Sequence, residues 1–168
     1  MTRQALLFAA VFLGTLALVP LLFQIEAVDR VLIEPLNHGI ARAGGAVIDL
    51  TGIDTSVRGT TIVAEDGAFS VDIVRECSGA YVMAVFIAAV LAFPSSWKEK
   101  LAGIAIGIPG VQAVNLIRVV TLFHVGVWRP DLFEQFHIYV WQTGVIILSM
   151  AIWIFWAEVL VGKPPARA

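Results

Sequence analysis

The 168-residue chain has few charged residues and a single cysteine, Cys77. Only 14% of its residues are charged, whereas 59% are hydrophobic and the mean hydropathy is +0.88. A chain this small cannot hide so much apolar surface in a core, so the composition excludes an ordinary soluble domain and indicates an integral membrane protein. One cysteine also excludes an internal disulfide framework and a cysteine-based metal site. It leaves an inert thiol, an intermolecular bridge or a reactive thiol.

The signatures of several other functions are missing. The sequence has no basic run, no nucleic-acid motif and no glycine-rich phosphate loop. Its acidic residues are dispersed, and no two histidines stand at ligand spacing on one predicted helix. We therefore expect no nucleic-acid partner, no metal and no other cofactor.

Long apolar runs predict an all-α polytopic membrane protein that forms one membrane domain over residues 1–168. A helix of about 20 residues spans the hydrocarbon core of a bilayer, and the chain offers about four such segments. The predicted helices cover residues 5–24, 77–93, 101–122 and 136–161. We expect a kink in the third around Pro109. The first is predicted to be an uncleaved anchor, and the alternative is a cleaved signal peptide, whose apolar run is usually shorter.

Residues 26–76 are predicted to form a small insertion outside the cytoplasm. Apolar residues at helical spacing in its first half indicate an amphipathic helix that lies on the membrane surface and ends at Gly44-Gly45. Two short strands around an Asp-Gly turn predict a β-hairpin that leads into Cys77. These strands cover residues 60–64 and 68–74.

The basic residues near the predicted helix ends indicate the orientation. They fall on one side of a four-helix arrangement, which the positive-inside rule assigns to the cytoplasm: Arg3, Lys98, Lys100, Lys163 and Arg167. Both termini are then cytoplasmic, and the insertion, which has more acidic residues than arginines, faces outward. We expect a multi-pass protein of the inner membrane with Cys77 at its outer surface.

Three polar side chains from different predicted helices fall at this outer level. Cys77 begins the second helix, where the positive end of the helix dipole lowers the pKa of a thiol. Arg118 lies ~27 Å along the third helix from Lys100, at about 1.5 Å per residue. His137 opens the last helix. Charged residues within membrane helices usually face a partner or a cavity, so we expect the three side chains to meet in one pocket.

Cysteine, histidine and arginine together are the parts of a cysteine acyl-transferase. A cysteine nucleophile needs a base that takes its proton and later returns it to a leaving amine, and imidazole suits both steps. An arginine can stabilise the thiolate and the oxygen of a tetrahedral intermediate. The alternatives are an inert Cys77, an Arg118 that reaches the outer headgroups, and His124 in place of His137 as the base.

Three neighbouring residues are candidates for supporting or substrate-binding roles. Asn115 shares a helix face with Arg118 and could hydrogen-bond to it or to a substrate. Glu76 would raise the pKa of the adjacent thiol if it is ionised, so Arg118 would have to outweigh it. Ser78 follows the cysteine directly.

The sequence resembles the exosortase/archaeosortase family of polytopic membrane transpeptidases over roughly residues 71–155. In that family a cysteine, an arginine and a histidine form the proposed catalytic triad. The resemblance implies Cys77 as nucleophile, Arg118 as thiolate or oxyanion stabiliser and His137 as acid and base. Three motifs in order carry it: Glu76-Cys77-Ser78-Gly79, Asn115-Leu116-Ile117-Arg118, and His137 followed by Gly144.

The resemblance also implies the substrate, a secreted protein with a C-terminal sorting signal made of a short motif, a membrane helix and a basic tail. The chain is similar in size to the compact exosortase H type, whose targets carry a tryptophan- and glycine-containing signal. The implied function is cleavage and transfer of such a protein through a thioester acyl-enzyme. The acceptor nucleophile and the oligomeric state stay open.

Two functions of other classes stay open besides the enzyme. One is a non-enzymatic membrane assembly or scaffolding subunit, in which Arg118 anchors helix packing and Cys77 is inert. The other is a small transporter, which the break at Pro109 supports only weakly, because no charged residue lies near it.

Overall fold

The computed structural model describes residues 3–161, with side chains from Leu6 onward, as a mostly helical protein with one small sheet. Lys163 and Arg167 of the predicted basic tail lie outside the described residues. The helices are α1 (Arg3–Leu22), α2 (Glu26–Asp49), α3 (Ala80–Ala92), α4 (Trp97–Trp128) and α5 (Pro130–Val161). The strands are β1 (Thr55–Arg58), β2 (Thr61–Ala64) and β3 (Ser70–Asp72).

Two or three membrane spans fit the described helices, so the predicted count of four is not confirmed. Helices α4 and α5, of 32 residues each, are long and apolar enough to cross a bilayer. Helices α1 and α2 meet at a bend of 86° and add a third span if the bent pair is taken as one. Helix α3 is apolar, but its 13 residues extend only about 20 Å, less than the hydrocarbon core of about 30 Å.

Helix α4 is longer than predicted and is not interrupted at Pro109. It begins at Trp97 because Ser96 and Glu99 form a capping box, in which each side chain accepts a hydrogen bond from the backbone N–H of the other residue. Helix α5 likewise begins before the predicted residue 136, at Pro130, whose fixed φ suits the first turn of a helix. The loops between the last three helices are therefore shorter than expected.

The insertion departs from the prediction at two places. Helix α2 runs through Gly44-Gly45, and these glycines instead permit close packing: a Cβ on Gly45 would lie 2.6 Å from Val57 Cγ2. The sheet has three antiparallel strands in the order β1-β2-β3, because β1 joins the predicted hairpin. Only β2 and β3 flank the predicted Asp-Gly turn.

The insertion packs against the C-terminal half of α4, so α2 also has a face that is buried within the protein. The buried face of α2, the sheet and α4 share one hydrophobic core. Its fully buried members include Ala41, Ile48, Ile62 and Phe123. This core fixes β3 beside α4, so the chain that leaves β3 reaches the α4 surface immediately.

Glycines on α4 allow the last three helices to approach one another. Gly107 faces the ring of Phe86 on α3, and Gly103 faces Trp156 on α5. The Trp156 indole N–H donates to the Glu99 carbonyl at 2.9 Å, which ties the end of α5 to the start of α4. Small residues at helix interfaces let backbones come close, and here they hold α3 and α5 against α4.

We expect Gly107→Ala to destabilise the protein by about 1–3 kcal/mol, because its new Cβ overlaps the buried Phe86 ring and the core must shift to admit it. Gly14→Ala in α1, where an added Cβ would meet no atom within 4 Å, is the matched control and should not lower stability, because alanine is favoured over glycine in a helix by about 1 kcal/mol. Thermal unfolding in detergent measures both. Adding Phe86→Leu to Gly107→Ala should restore part of the lost stability. Equal melting temperatures of the Gly107→Ala and Gly14→Ala variants would contradict this packing.

Candidate active site

Cys77 lies in a tight turn between the sheet and α3. Strand β3 leads into a 3₁₀ turn, Arg75–Cys77, and Gly79 then takes a left-handed conformation with φ of +72° before α3 begins. Only glycine adopts this φ without strain, and a Cβ here would also lie 3.2 Å from Asn115 Cγ. The fully buried Ser78 donates a hydrogen bond from Oγ to the Arg75 carbonyl at 2.7 Å. We call residues 75–79 the nucleophile turn.

A polar face of α4 holds the nucleophile turn in place. Asn115, which is fully buried, donates a hydrogen bond from Nδ2 to the Cys77 carbonyl at 3.0 Å. Gln112, one helical turn earlier, donates from Nε2 to the Ser78 carbonyl at 3.1 Å. Arg118 continues the same face in the other direction. Sequence reasoning missed Gln112, although its three-residue spacing from Asn115 was a signal that could have found it.

The Cys77 thiol contacts the imidazole of His137. The distance from Cys77 Sγ to His137 Nε2 is 3.7 Å, within hydrogen-bonding range for sulfur. His137 lies in a π-helical turn of α5, and its ring stacks on Phe133 with the two centroids 5.8 Å apart. Cys77 is only partly buried, so the pair is accessible to a substrate.

Arg118 lies beside this pair as a buried charge that has no partner among the described residues. Its side chain is only 4% exposed, and among the described residues no side chain or backbone group forms an ion pair or hydrogen bond with its guanidinium. It lines a cavity of about 280 Å³ together with Glu76, Gly79, Tyr81 and Gln142. Burying a charge is unfavourable unless it is compensated, so the cavity favours an anionic or strongly polarised group of a ligand.

Burial raises the pKa of the Cys77 thiol above its ordinary value. The positive charge of Arg118 lowers this pKa, and the nearby Glu76 raises it again. The expected lowering by the dipole of α3 is not enough to reverse this, because Cys77 precedes the left-handed Gly79 at which the helix begins. The resting cysteine is therefore mainly a thiol, which needs a base when it reacts.

His124 is occupied elsewhere. Its Nε2 lies 2.7 Å from the Thr51 hydroxyl, and its Nδ1 lies 2.7 Å from the Val120 carbonyl. Nε2 thus holds Thr51, just after the end of α2, against α4, and Nδ1 bonds within α4 itself, whereas Nε2 of His137 faces the thiol. The geometry brings Cys77 to His137 and not to His124.

Glu76 and Ser78, the two neighbours of the cysteine, differ in position. Glu76 is exposed at the mouth of the cavity, whereas Ser78 faces the protein interior and shapes the turn. In the part of the chain that the structure describes, no three histidine, cysteine, aspartate or glutamate side chains stand close enough to hold a metal ion.

The fold and the site define a helical membrane protein with a cysteine–histidine pair next to a buried arginine. The family model described as transmembrane exosortase (EpsH) matches residues 2–157, nearly the whole chain. The chain belongs to the transmembrane exosortase family, which confirms the resemblance seen in its three motifs. The searches of curated proteins and of solved structures gave no match.

We expect Arg118→Met to slow alkylation of Cys77 at neutral pH by about tenfold, because loss of the positive charge raises the pKa of the thiol further. The measurement is the rate of labelling by a small thiol reagent from pH 6 to 10. The midpoint of the wild-type profile should lie above that of an exposed thiol. Arg129→Met, which removes an exposed arginine paired with Asp131, is the control and should leave the profile in place. An unchanged midpoint of the alkylation profile in Arg118→Met would contradict the electrostatic coupling between Arg118 and the Cys77 thiol.

Proposed function

We propose that this chain is a membrane cysteine transpeptidase of the compact exosortase H type, which cleaves secreted proteins at a C-terminal sorting signal. Support comes from one observation above all: the 3.7 Å contact between the Cys77 thiol and His137 Nε2, beside a cavity that contains the buried Arg118. Membership of the exosortase family supports the class of substrate.

Acylation begins with transfer of the Cys77 proton to His137 Nε2, because the resting sulfur is a thiol. The thiolate attacks the carbonyl carbon of the scissile peptide bond, and the carbonyl oxygen becomes an oxyanion that Arg118 stabilises. As the intermediate collapses, the C–N bond breaks and the imidazolium gives its proton to the leaving amine. The N-terminal part of the substrate is then a thioester on Cys77.

Deacylation repeats these steps with a second nucleophile. An acceptor amine, or water, loses a proton to His137 and attacks the thioester carbon, while Arg118 again faces the oxyanion. The C–S bond breaks, and the sulfur recovers its proton from His137. An amine acceptor gives transfer of the substrate, and water gives hydrolysis.

Strand β3 offers a place for the recognition motif. Among the described strands it pairs only with β2, which leaves it at the edge of the sheet, and it leads directly into the nucleophile turn. An extended peptide could add to this edge and reach Cys77 with its scissile bond. The membrane helix of the sorting signal would then lie in the bilayer beside α4 and α5, with the site facing the periplasm and both termini in the cytoplasm.

The scaffolding alternative assigns Arg118 to helix packing. A packing anchor would be expected to meet a carboxylate or several carbonyls of neighbouring helices, whereas the described contacts of Arg118 include neither, and the side chain lines a cavity. This observation favours the enzyme over the scaffold.

We expect Cys77→Ala to abolish processing of a co-expressed secreted protein that ends in a sorting signal, and His137→Gln to slow it by about 10²–10⁴-fold, because glutamine cannot take up the thiol proton. Processing is followed by the mass of the secreted product. His124→Gln is the matched control, since glutamine can keep hydrogen bonds to Thr51 and Val120, and it should retain most of the activity. Undiminished processing by Cys77→Ala, or equal losses in the two histidine variants, would reject the mechanism.

A further inference from the structure

Two side-chain amides of α4 hold two consecutive carbonyls of the nucleophile turn. Asn115 donates a hydrogen bond to the Cys77 carbonyl, and Gln112 donates one to the Ser78 carbonyl at 3.1 Å. The same Gln112 nitrogen lies 3.0 Å from Met83 Sδ in the first turn of α3. Gln112 therefore connects α4 both to the turn that carries the cysteine and to the helix that follows it.

The backbone of this turn decides where the sulfur lies. A cysteine side chain has one rotatable bond before its sulfur, so Sγ can adjust little when the backbone moves. Its partner His137 sits on a different helix, α5, and is placed independently. The Sγ to Nε2 distance of 3.7 Å is already long, and a further displacement of about 1 Å would separate the pair, which can cost about 10²-fold in rate.

Gln112 does not touch the reacting groups. It is not among the residues that line the cavity beside Arg118, although it lines a separate, mostly apolar cavity between α2 and α4, and both of its side-chain hydrogen bonds are with the protein itself. Asn115 holds one carbonyl of the turn to α4, and Gln112 holds the next one. The two hydrogen bonds together set the orientation of residues 77–78 against α4.

We propose that Gln112 is a positioning residue that keeps the Cys77 thiol within reach of His137, an inference that rests on the function proposed above. Its amide N–H groups fix the Ser78 carbonyl and the start of α3, and through them the direction in which Sγ points. A side chain of the same length without N–H donors cannot do this.

The test compares Gln112→Met with Trp156→Phe. Methionine keeps the length of glutamine but donates no hydrogen bond. Trp156→Phe removes a hydrogen bond of the same kind, from a buried side-chain N–H to a backbone carbonyl at 2.9 Å, at the other end of α4. Each variant loses one hydrogen bond between a helix side chain and a backbone carbonyl, but only Gln112→Met removes a bond to the nucleophile turn. Thermal unfolding in detergent establishes that each is folded.

Two readouts are taken, one without substrate and one with it. We expect Gln112→Met to change the pH profile of Cys77 alkylation and to lower kcat for processing about tenfold or more, with KM changed little. Trp156→Phe should keep the wild-type alkylation profile and kcat even if its melting temperature is lower. A wild-type profile and kcat in folded Gln112→Met would overturn the inference.

The two readouts separate this inference from the proposed function. If the wild type shows no processing of any sorting-signal protein but Gln112→Met still alters Cys77 alkylation, Gln112 positions the thiol and the proposed reaction is wrong. If the wild type processes substrate and Gln112→Met behaves like it in both assays, the reaction stands and the positioning role is wrong.

Discussion

The hydrogen bond from Asn115 to the Cys77 carbonyl is the constraint on which the site depends. Asn115 is fully buried on the polar face of α4 that it shares with Gln112 and Arg118, and a buried amide N–H group is unfavourable unless it finds an acceptor. The nucleophile turn supplies that partner, and Gly79 lets its backbone approach closely enough. Helix α4 thus selects one docking position for the cysteine, and Arg118, one turn further along the same face, comes to lie beside it.

The insertion brings the turn to this position. Its core with α4 fixes β3, and the chain passes from β3 into the nucleophile turn without a flexible linker. Arg75 also forms an ion pair of 2.5 Å with Asp29, in the π-helical turn of α2, and this pair ties the bend after α1 to the residue two before the cysteine. The insertion and the bend after α1 therefore present the thiol to α5, where His137 completes the pair.

The apolar runs and three motifs predicted much of this arrangement. They indicated the helices that became α4 and α5, the β2–β3 hairpin before Cys77 and the approach of the cysteine to His137. Gly44-Gly45 was misread as a helix end, because glycine in a sequence looks the same whether it stops a helix or admits a neighbour such as Val57. Strand β1 depends on tertiary packing, which has no periodic signature, whereas the spacing of Gln112 from Asn115 was a usable signal that sequence reasoning missed. The helix predicted over residues 77–93 was too long at its start, because the left-handed Gly79 ends the nucleophile turn before α3 begins at Ala80.

The most direct test of the central claim is mass spectrometry of the protein purified with a co-expressed sorting-signal substrate and quenched in acid. We expect a covalent adduct on Cys77 with the mass of the N-terminal part of the substrate, released by hydroxylamine as a thioester should be. Arg118 and His137 should carry no adduct. Processed substrate without any adduct on Cys77, or with the adduct on another residue, would contradict the account.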